Sequence, residues 1–252
     1  MSPCTVAPPR LHANAHRTRG DAPRPRRRLW LAHLLLLALG LGTALAAAHE
    51  LGFSRSVTAG LVERYAAKFG PPSRARISGW QAFVRSNAPG RGHAANEREL
   101  LAEVNTFFNR LPFLTDFAHW GVEDYWASPA ESVASDGADC EDFSIAKYFA
   151  LKELGVPIQR LRITYVKAVR LNQAHMVLAY YPEPNAEPLI LDNLEDAVRP
   201  ASERTDLIPV YSFNDEDLLV VRQGQRSASA GSASQIRLWR TLLDKMEAEL
   251  LY

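Results

Sequence analysis

Three residues of types used in nucleophilic catalysis follow one another along the chain: Cys140, His175 and Asp192. Cys140 opens a predicted helix over about 140–154, where unpaired N–H groups and the helix dipole would stabilise a thiolate. His175 and Asp192 lie in two consecutive predicted strands, which can bring both side chains within hydrogen-bonding range on one face of a sheet. Because a thiolate needs a base and the base needs an orienting acceptor, this order is compatible with a catalytic triad. Taken singly, a core cysteine, a core histidine and a strand-ending aspartate explain the same residues, and spacing alone leaves both interpretations open.

Carboxylates surround the candidate nucleophile. Asp139, Glu141 and Asp142 flank Cys140 directly, and without a counter-charge they would raise the thiol pKa and suppress the nucleophile. A Ca²⁺ ion would cancel this effect, because calcium binds several carboxylate oxygens in irregular geometry. The alternative is that Asp139 caps the helix and the acids favour its first turn. The stretch does not match an EF-hand loop, so both interpretations stay open.

The predicted elements that must position these residues are helices first and strands later. Helical periodicity covers 57–69 and 80–85, interrupted at Gly70-Pro71-Pro72, and a further helix runs from a capping-box pattern at Asn96 to about Leu111. An aromatic-rich loop, 115–129, precedes the helix that begins at Cys140. Strand-like runs follow at 161–169, 174–181 and 189–194. This order predicts an α+β domain with an antiparallel sheet.

The first 48 residues have the pattern of an export signal. An arginine-rich stretch is followed by an apolar run and by Ala46-Ala47-Ala48, which predicts a cleaved signal peptide, with a retained membrane anchor as the alternative. Export predicts a mature protein with one thiol, because Cys4 lies in the removed segment. The remaining chain divides into a catalytic domain, a flexible linker and an amphipathic helix, over 49–222, 223–235 and 236–252.

The charge distribution argues against a nucleic-acid partner. The whole chain carries 29 basic and 28 acidic residues, but seven arginines and a single acid fall within residues 1–48. The rest is therefore mildly acidic, and such a surface does not favour binding to a phosphate backbone.

Several segments together resemble one family. The segment 139–149, Asp-Cys-Glu-Asp-Phe-Ser-Ile-Ala-Lys-Tyr-Phe, resembles the nucleophile segment of bacterial transglutaminase-like cysteine proteinases of the LapG type. Segments similar to that family's strands, and two further matching stretches, lie at 161–168, 172–178, 189–194, 124–129 and 209–214. The likeness covers roughly residues 55–220, in order.

The resemblance implies a fold and a set of site residues. The fold is papain/transglutaminase-like, with N-terminal helices packed on an antiparallel sheet and the nucleophile at a helix N-terminus. The implied triad is Cys140, His175 and Asp192, and the residues implied for calcium dependence are Asp139, Glu141 and Asp142. For the oxyanion hole, the Cys140 backbone N–H needs a second donor, and Trp126 and Gln173 are candidates.

The resemblance also implies a biological setting. Family members are periplasmic and release large cell-surface adhesins by cutting their N-terminal region at a paired-alanine site. They are restrained by the periplasmic domain of an inner-membrane receptor that senses cyclic-di-GMP. Two alternatives stay open: an acyl transferase with the same triad, and a calcium-gated binding protein without catalysis.

Overall fold

The computed structural model describes residues 57–88, 96–220 and 228–251. Its helices, in chain order, are α1 (Ala59–Phe69), α2 (Pro72–Asn87), α3 (Glu97–Phe108), α4 (Asp116–Trp120), α5 (Pro129–Ser135), α6 (Cys140–Glu153) and α7 (Arg237–Glu249). Its strands are β1 (Leu161–Ala168), β2 (Gln173–Tyr180), β3 (Leu189–Leu191), β4 (Arg199–Pro200), β5 (Leu207–Phe213), β6 (Leu218–Val220) and β7 (Ala228–Gly231). Single turns of 3₁₀ helix cover 158–160, 201–203 and 233–235.

The described strands form one antiparallel sheet, in the order β4-β3-β2-β1-β5-β6-β7. β1 lies at its centre and pairs with β2 on one side and β5 on the other. On the β2 side, Leu178 is opposite Leu191 of β3. His175, near the start of β2, therefore lies close to the chain that leaves the end of β3.

Helix α6 is the central helix of the domain. Every residue from Cys140 to Leu151 is buried, which is typical of a helix enclosed on all sides rather than an amphipathic surface helix. One side packs on β2 and β1, and others contact α3 and α5. Asp139 caps its start, and Gly155 follows its end with a positive φ of 90°, a backbone conformation that glycine adopts without steric cost.

The main hydrophobic core lies between α6 and the sheet and extends to the other helices. Its largest fully buried aromatic side chains include Trp80, Phe108, Phe213 and Trp239. The opposite face of the sheet carries a small second cluster of Val166, Val177, Ala179 and Ile190.

The α+β class, the antiparallel sheet and the helix that begins at Cys140 are confirmed. Three boundaries differ from the prediction. The second helix begins at Pro72 directly after the Gly-Pro break, since proline is well tolerated in a first helical turn. The loop predicted over 115–129 contains α4 and the start of α5. β3 ends at Leu191, so Asp192 lies just after the strand rather than within it.

The C-terminal region also differs from the prediction. Residues 228–231, within the predicted flexible linker, form β7 at the sheet edge, where pairing with β6 supplies the hydrogen bonds that a Ser/Ala/Gly sequence does not favour by itself. The predicted C-terminal helix is present as α7, with Leu242 buried and Leu243 37% exposed.

Among the described residues, no helix is long and apolar enough to cross a membrane. The predicted export signal, 1–48, and residues 223–227 of the predicted linker lie outside the described residues.

Candidate active site

Cys140 is the first residue of α6 and is fully buried. The helix start is fixed by Asp139, whose carboxylate accepts a hydrogen bond from the Asp142 N–H at 3.3 Å, as the capping interpretation predicts. Sγ of Cys140 lies 2.8 Å from Oε2 of Glu141. The prediction of a single thiol in the mature protein also concerns Cys4, which lies outside the described residues.

The segment leading into Cys140 is paired with the chain around Phe113. Ala138 donates to the Pro112 carbonyl at 3.1 Å, and its own carbonyl accepts from the Leu114 N–H at 3.0 Å. A cavity of about 490 Å³ extends from this 113–115 stretch to His175. It connects the segment paired beside Cys140 with the histidine. The remaining lining residues are Ala118, Leu171, Gln173, Ala174, Asn193 and Leu194.

His175 and Asp192 form a direct hydrogen bond. Nε2 of His175 lies 2.7 Å from Oδ1 of Asp192, and both side chains are almost entirely buried. The same Oδ1 accepts from the Leu194 N–H at 3.0 Å. Since an ionised carboxylate can only accept, Nε2 carries the proton and leaves Nδ1 of the neutral ring as the basic nitrogen.

The other oxygen of Asp192 is bound by Arg204. Nη2 of Arg204 lies 2.7 Å from Oδ2, and the same guanidinium holds both oxygens of Asp206 at 3.0 Å. Burial alone raises the pKa of Asp192, but hydrogen bonds from His175, Leu194 and Arg204 outweigh it and hold that pKa well below its ordinary value. Asp192 is therefore an ionised acceptor whose two oxygens have fixed partners.

A second group of carboxylates lies at the helix start. Asp116, Asp139 and Asp142 each offer an oxygen, and the three oxygens lie within 4.8 Å of one another. All three residues are buried. We refer to these three aspartates as the acidic cluster. Glu141, predicted as a calcium residue, is outside this group but lies close enough to hydrogen-bond with Asp139.

The acidic cluster has no cation to neutralise it among the described residues that hydrogen-bond to it. Burial, and then the charge of neighbouring carboxylates, raise the pKa of Asp139 and Asp142 well above ordinary values. Burial also raises the pKa of Asp116 to about 6 and that of Glu141 to about 8. A bound cation would offset the free-energy cost of ionising these buried carboxylates next to one another.

Asp116 and Asp142 each have one carboxylate oxygen that accepts a backbone hydrogen bond and one that does not. Asp116 Oδ2 accepts from the Tyr125 N–H at 2.6 Å, and Asp142 Oδ1 accepts from the Ala127 N–H at 2.7 Å. Asp116 Oδ1 and Asp142 Oδ2 are buried and have no hydrogen-bond partner in the described part of the chain. Oriented carboxylates with such oxygens fit a hard cation such as Ca²⁺.

The two oxyanion candidates occupy different surroundings. Gln173 begins β2 and lines the cavity beside His175. Trp126 is buried, its ring stacks on Phe213 with centroids 5.9 Å apart, and its ring nitrogen has no hydrogen-bond partner among the described residues. Both stay candidates for the second oxyanion donor.

Two site residues were absent from the sequence prediction. Asp116 lies 23 positions before Asp139, and Arg204 lies 12 positions after Asp192. Neither pairing has a local spacing that would mark it, since each depends on how loops fold over the ends of the sheet. The only local signal was that Thr115-Asp116 has the pattern of a helix start.

Comparisons with known proteins bear on the family and the fold of the chain. A family model described as bacterial transglutaminase-like cysteine proteinase matches residues 84–211. The chain belongs to that family. Two solved structures of Legionella pneumophila LapG are each 41% identical to it over 73% of the chain. The EGTA-treated form is covered over 95% of its length with a TM-score of 0.64, and the calcium-bound form over 97% with a TM-score of 0.62. No curated protein matches the chain.

Membership of this family confirms the predicted transglutaminase-like cysteine proteinase fold. It also assigns the chain to a family of cysteine proteinases. The existence of calcium-bound and EGTA-treated forms of LapG indicates calcium binding in a similar protein. In this chain, the acidic cluster provides a group of carboxylates suited to such an ion.

Proposed function

We propose that this protein is a calcium-dependent cysteine endopeptidase with Cys140, His175 and Asp192 as its triad. The observation that carries the proposal is the buried His175–Asp192 hydrogen bond of 2.7 Å, with Asp192 held ionised by Arg204. It accompanies a cysteine at the start of the central helix.

In the proposed mechanism, Nδ1 of His175 takes the proton from Cys140, and Asp192 holds the ring through Nε2. The thiolate attacks a peptide carbonyl, an acyl-enzyme forms as the amine leaves with a proton from His175, and water then releases the acid. The Cys140 backbone N–H, at the helix start, would stabilise the oxyanion together with Gln173 or Trp126.

Asp139, Asp142 and Asp116, with Glu141 beside them, would hold the calcium ion. Bound calcium would supply the positive charge that lets these carboxylates ionise together beside Cys140. The carboxylates in turn fix the segment around Tyr125 and Ala127 through backbone hydrogen bonds. Their contribution is therefore to order the loop that packs against the helix start.

For the substrate, we propose the N-terminal region of a large cell-surface adhesin, cut at a paired-alanine site in the periplasm after export. Release of the adhesin would promote biofilm dispersal, under control of the periplasmic domain of a cyclic-di-GMP-sensing inner-membrane receptor. The support for this setting is the resemblance in sequence, and the export pattern of residues 1–48. A mature N-terminus near His49, measured by intact mass on protein from the periplasm, is expected; a membrane-bound form retaining residues 1–48 would contradict signal cleavage.

The test of the activity is cleavage of a fragment of the host's adhesin by the wild-type protein and by Cys140→Ala. We expect the wild type to give two products with a new end at the paired alanines, and the variant to give none. Equal cleavage by both proteins would reject Cys140 as the nucleophile. Amine incorporation in place of hydrolysis would favour the acyl transferase, and binding without cleavage by both would favour the non-catalytic binding protein.

A further inference from the structure

The C-terminal helix α7 contacts the segment that holds the acidic cluster. Lys245 donates to the Trp126 carbonyl at 2.7 Å and to the Tyr125 hydroxyl at 3.0 Å. It also forms an ion pair with Glu131 at 2.5 Å, and its side chain is 21% exposed. Lys245 therefore holds the Trp126 carbonyl in place, and its ion pair with Glu131 also attaches α7 to α5.

The peptide group between Trp126 and Ala127 is held at both ends. Its carbonyl oxygen accepts from Lys245, and its N–H donates to Asp142 Oδ1 at 2.7 Å. In a trans peptide these two groups point in opposite directions, so fixing the oxygen also fixes where the N–H points. A cation on the oxygen further polarises the peptide and strengthens the hydrogen bond made by its N–H.

The peptide between Asp124 and Tyr125 also directs its N–H toward the acidic cluster. The Tyr125 N–H donates to Asp116 Oδ2 at 2.6 Å. In both aspartates the second oxygen, Asp116 Oδ1 or Asp142 Oδ2, is buried and without a hydrogen-bond partner in the described residues. The 125–127 backbone thus orients two carboxylates of the cluster. The second oxygen of each carboxylate is not used by this backbone and is available to a cation.

From these contacts we infer that Lys245 of the C-terminal helix is a positioning residue for the calcium site, acting on Asp142 through the Trp126–Ala127 peptide. The inference rests on the calcium dependence proposed above. None of the described hydrogen bonds of Lys245 is to the cluster itself, although its charge lowers the pKa of Asp116 through space. Its hydrogen-bonded connection to Asp142 runs through the Trp126–Ala127 peptide. Partners outside the ligand set that orient a metal ligand commonly affect metal affinity 10- to 100-fold.

A purely structural role for Lys245 is the competing explanation, because its ion pair with Glu131 and its position over the Tyr125 ring would also dock α7. A Glu249 variant distinguishes docking of α7 from positioning of the calcium site. It anchors the same helix through hydrogen bonds with Ser128 Oγ, at 2.8 Å, and with the Tyr65 hydroxyl, but the 126–127 peptide is not among its described hydrogen-bond partners. If docking alone matters, Glu249→Gln should resemble Lys245→Met.

The experiment is a calorimetric Ca²⁺ titration of the whole chelator-treated protein, with circular dichroism confirming that each variant is folded. We expect Lys245→Met to weaken calcium binding by about 10-fold or more, and Lys245→Arg to stay within about 3-fold of wild type, since it restores a charged donor. Glu249→Gln and the exposed-site control Arg240→Met should bind calcium as the wild type does. If Lys245→Met fails to fold, Lys245→Gln, which keeps a neutral donor, takes its place with the same expected direction.

Two results would overturn the inference while leaving the proposed function in place. One is a folded Lys245→Met protein that binds calcium as tightly as the wild type. The other is a Glu249→Gln protein that loses as much affinity as Lys245→Met. A wild type that binds no calcium would instead reject the proposed calcium dependence, and the inference with it.

Discussion

Asp192 and the aspartates of the acidic cluster are all buried, but they differ in how their charge is balanced. Asp192 has hydrogen bonds from His175 and Arg204, and they hold its pKa below the ordinary value despite burial. Asp139 and Asp142 are equally buried, but their nearest charged neighbours are other carboxylates, so their pKa values are raised. The same residue type is therefore ionised by the protein itself in one place and needs an added cation in the other.

This difference indicates separate roles for Asp192 and for the acidic cluster. A permanently ionised Asp192 can orient a histidine without any cofactor. The acidic cluster stabilises its surroundings only when an ion or protons neutralise it, so it is suited to regulating the enzyme by calcium. The following predictions test that separation, from the largest expected effect to the smallest.

The largest effect is expected on the Asp192 side. His175→Ala should lower kcat/KM by about 1,000-fold or more, because in the proposed triad its imidazole takes the Cys140 proton. Asp192→Asn should cost about 10- to 100-fold less than His175→Ala if its main task is to orient the ring. Steady-state cleavage of the adhesin fragment at saturating calcium measures both. A His175→Ala protein that retains a tenth of wild-type turnover would contradict the proposed triad.

On the cluster side, Asp116→Asn should weaken calcium binding by about 10- to 100-fold, while activity at saturating calcium stays within about 10-fold of wild type. The reason is that the change removes one charge of the cluster and leaves the His175–Asp192 hydrogen bond intact. Calcium titrations of turnover measure this, with the exposed-site variant Glu123→Gln as a control. An unchanged calcium midpoint would remove Asp116 from the site.

The stability of the calcium-free protein should fall as the pH rises. The folded-state pKa values of Asp116 and Glu141 are raised to about 6 and about 8, so their contribution to stability is present below pH 4 and is lost as pH rises through these values. In EGTA we expect Tm to drop by about 3–10 °C between pH 5 and pH 8 beyond any change seen with saturating calcium. Parallel Tm curves with and without calcium would contradict this.

A smaller effect is expected at Lys147, a fully buried lysine of α6 near Asp192. Its ammonium has no hydrogen-bond partner among the described residues, and burial lowers its pKa to about 7, although the Asp192 and Asp196 charges oppose this. Between pH 7 and 10.5 the unfolded chain binds more protons than the folded protein. The buried Lys147 charge therefore destabilises the folded protein fully below pH 7, and this destabilisation fades toward pH 10. Lys147→Met should therefore raise Tm by about 2–6 °C at pH 6.5 and by less at pH 10. An equal shift at both pH values would contradict the assignment.

The helices and strands could be predicted from the sequence more completely than the tertiary contacts between residues at their ends. The helix at Cys140 is predictable because Asp139 can cap its start and Gly155-Val156-Pro157 has the pattern of a helix end, and both are local signals in the sequence. The alternation of β2 and β3 placed His175 and Asp192 on one face, and the structure brings them into contact.

The remaining contacts depend on tertiary packing. Asp116 lies at the start of α4, Arg204 in a turn and Lys245 in the C-terminal helix. Because these elements are distant in sequence from the residues they contact, no spacing rule identifies the three residues. Strand β7 was missed for a similar reason, because its Ser/Ala/Gly residues form a strand only through pairing with β6.

The most direct test of the whole account is the rate of adhesin-fragment cleavage by the wild type in EGTA, followed by readdition of Ca²⁺ or Mg²⁺. Because the acidic cluster offers irregularly placed carboxylate oxygens, calcium should restore the rate better than magnesium, which requires a strict octahedron. The account predicts that EGTA silences the enzyme, that calcium restores it, and that Asp139→Ala loses both activity and calcium response. A cleavage rate unchanged in EGTA would contradict it and leave the carboxylates as helix caps.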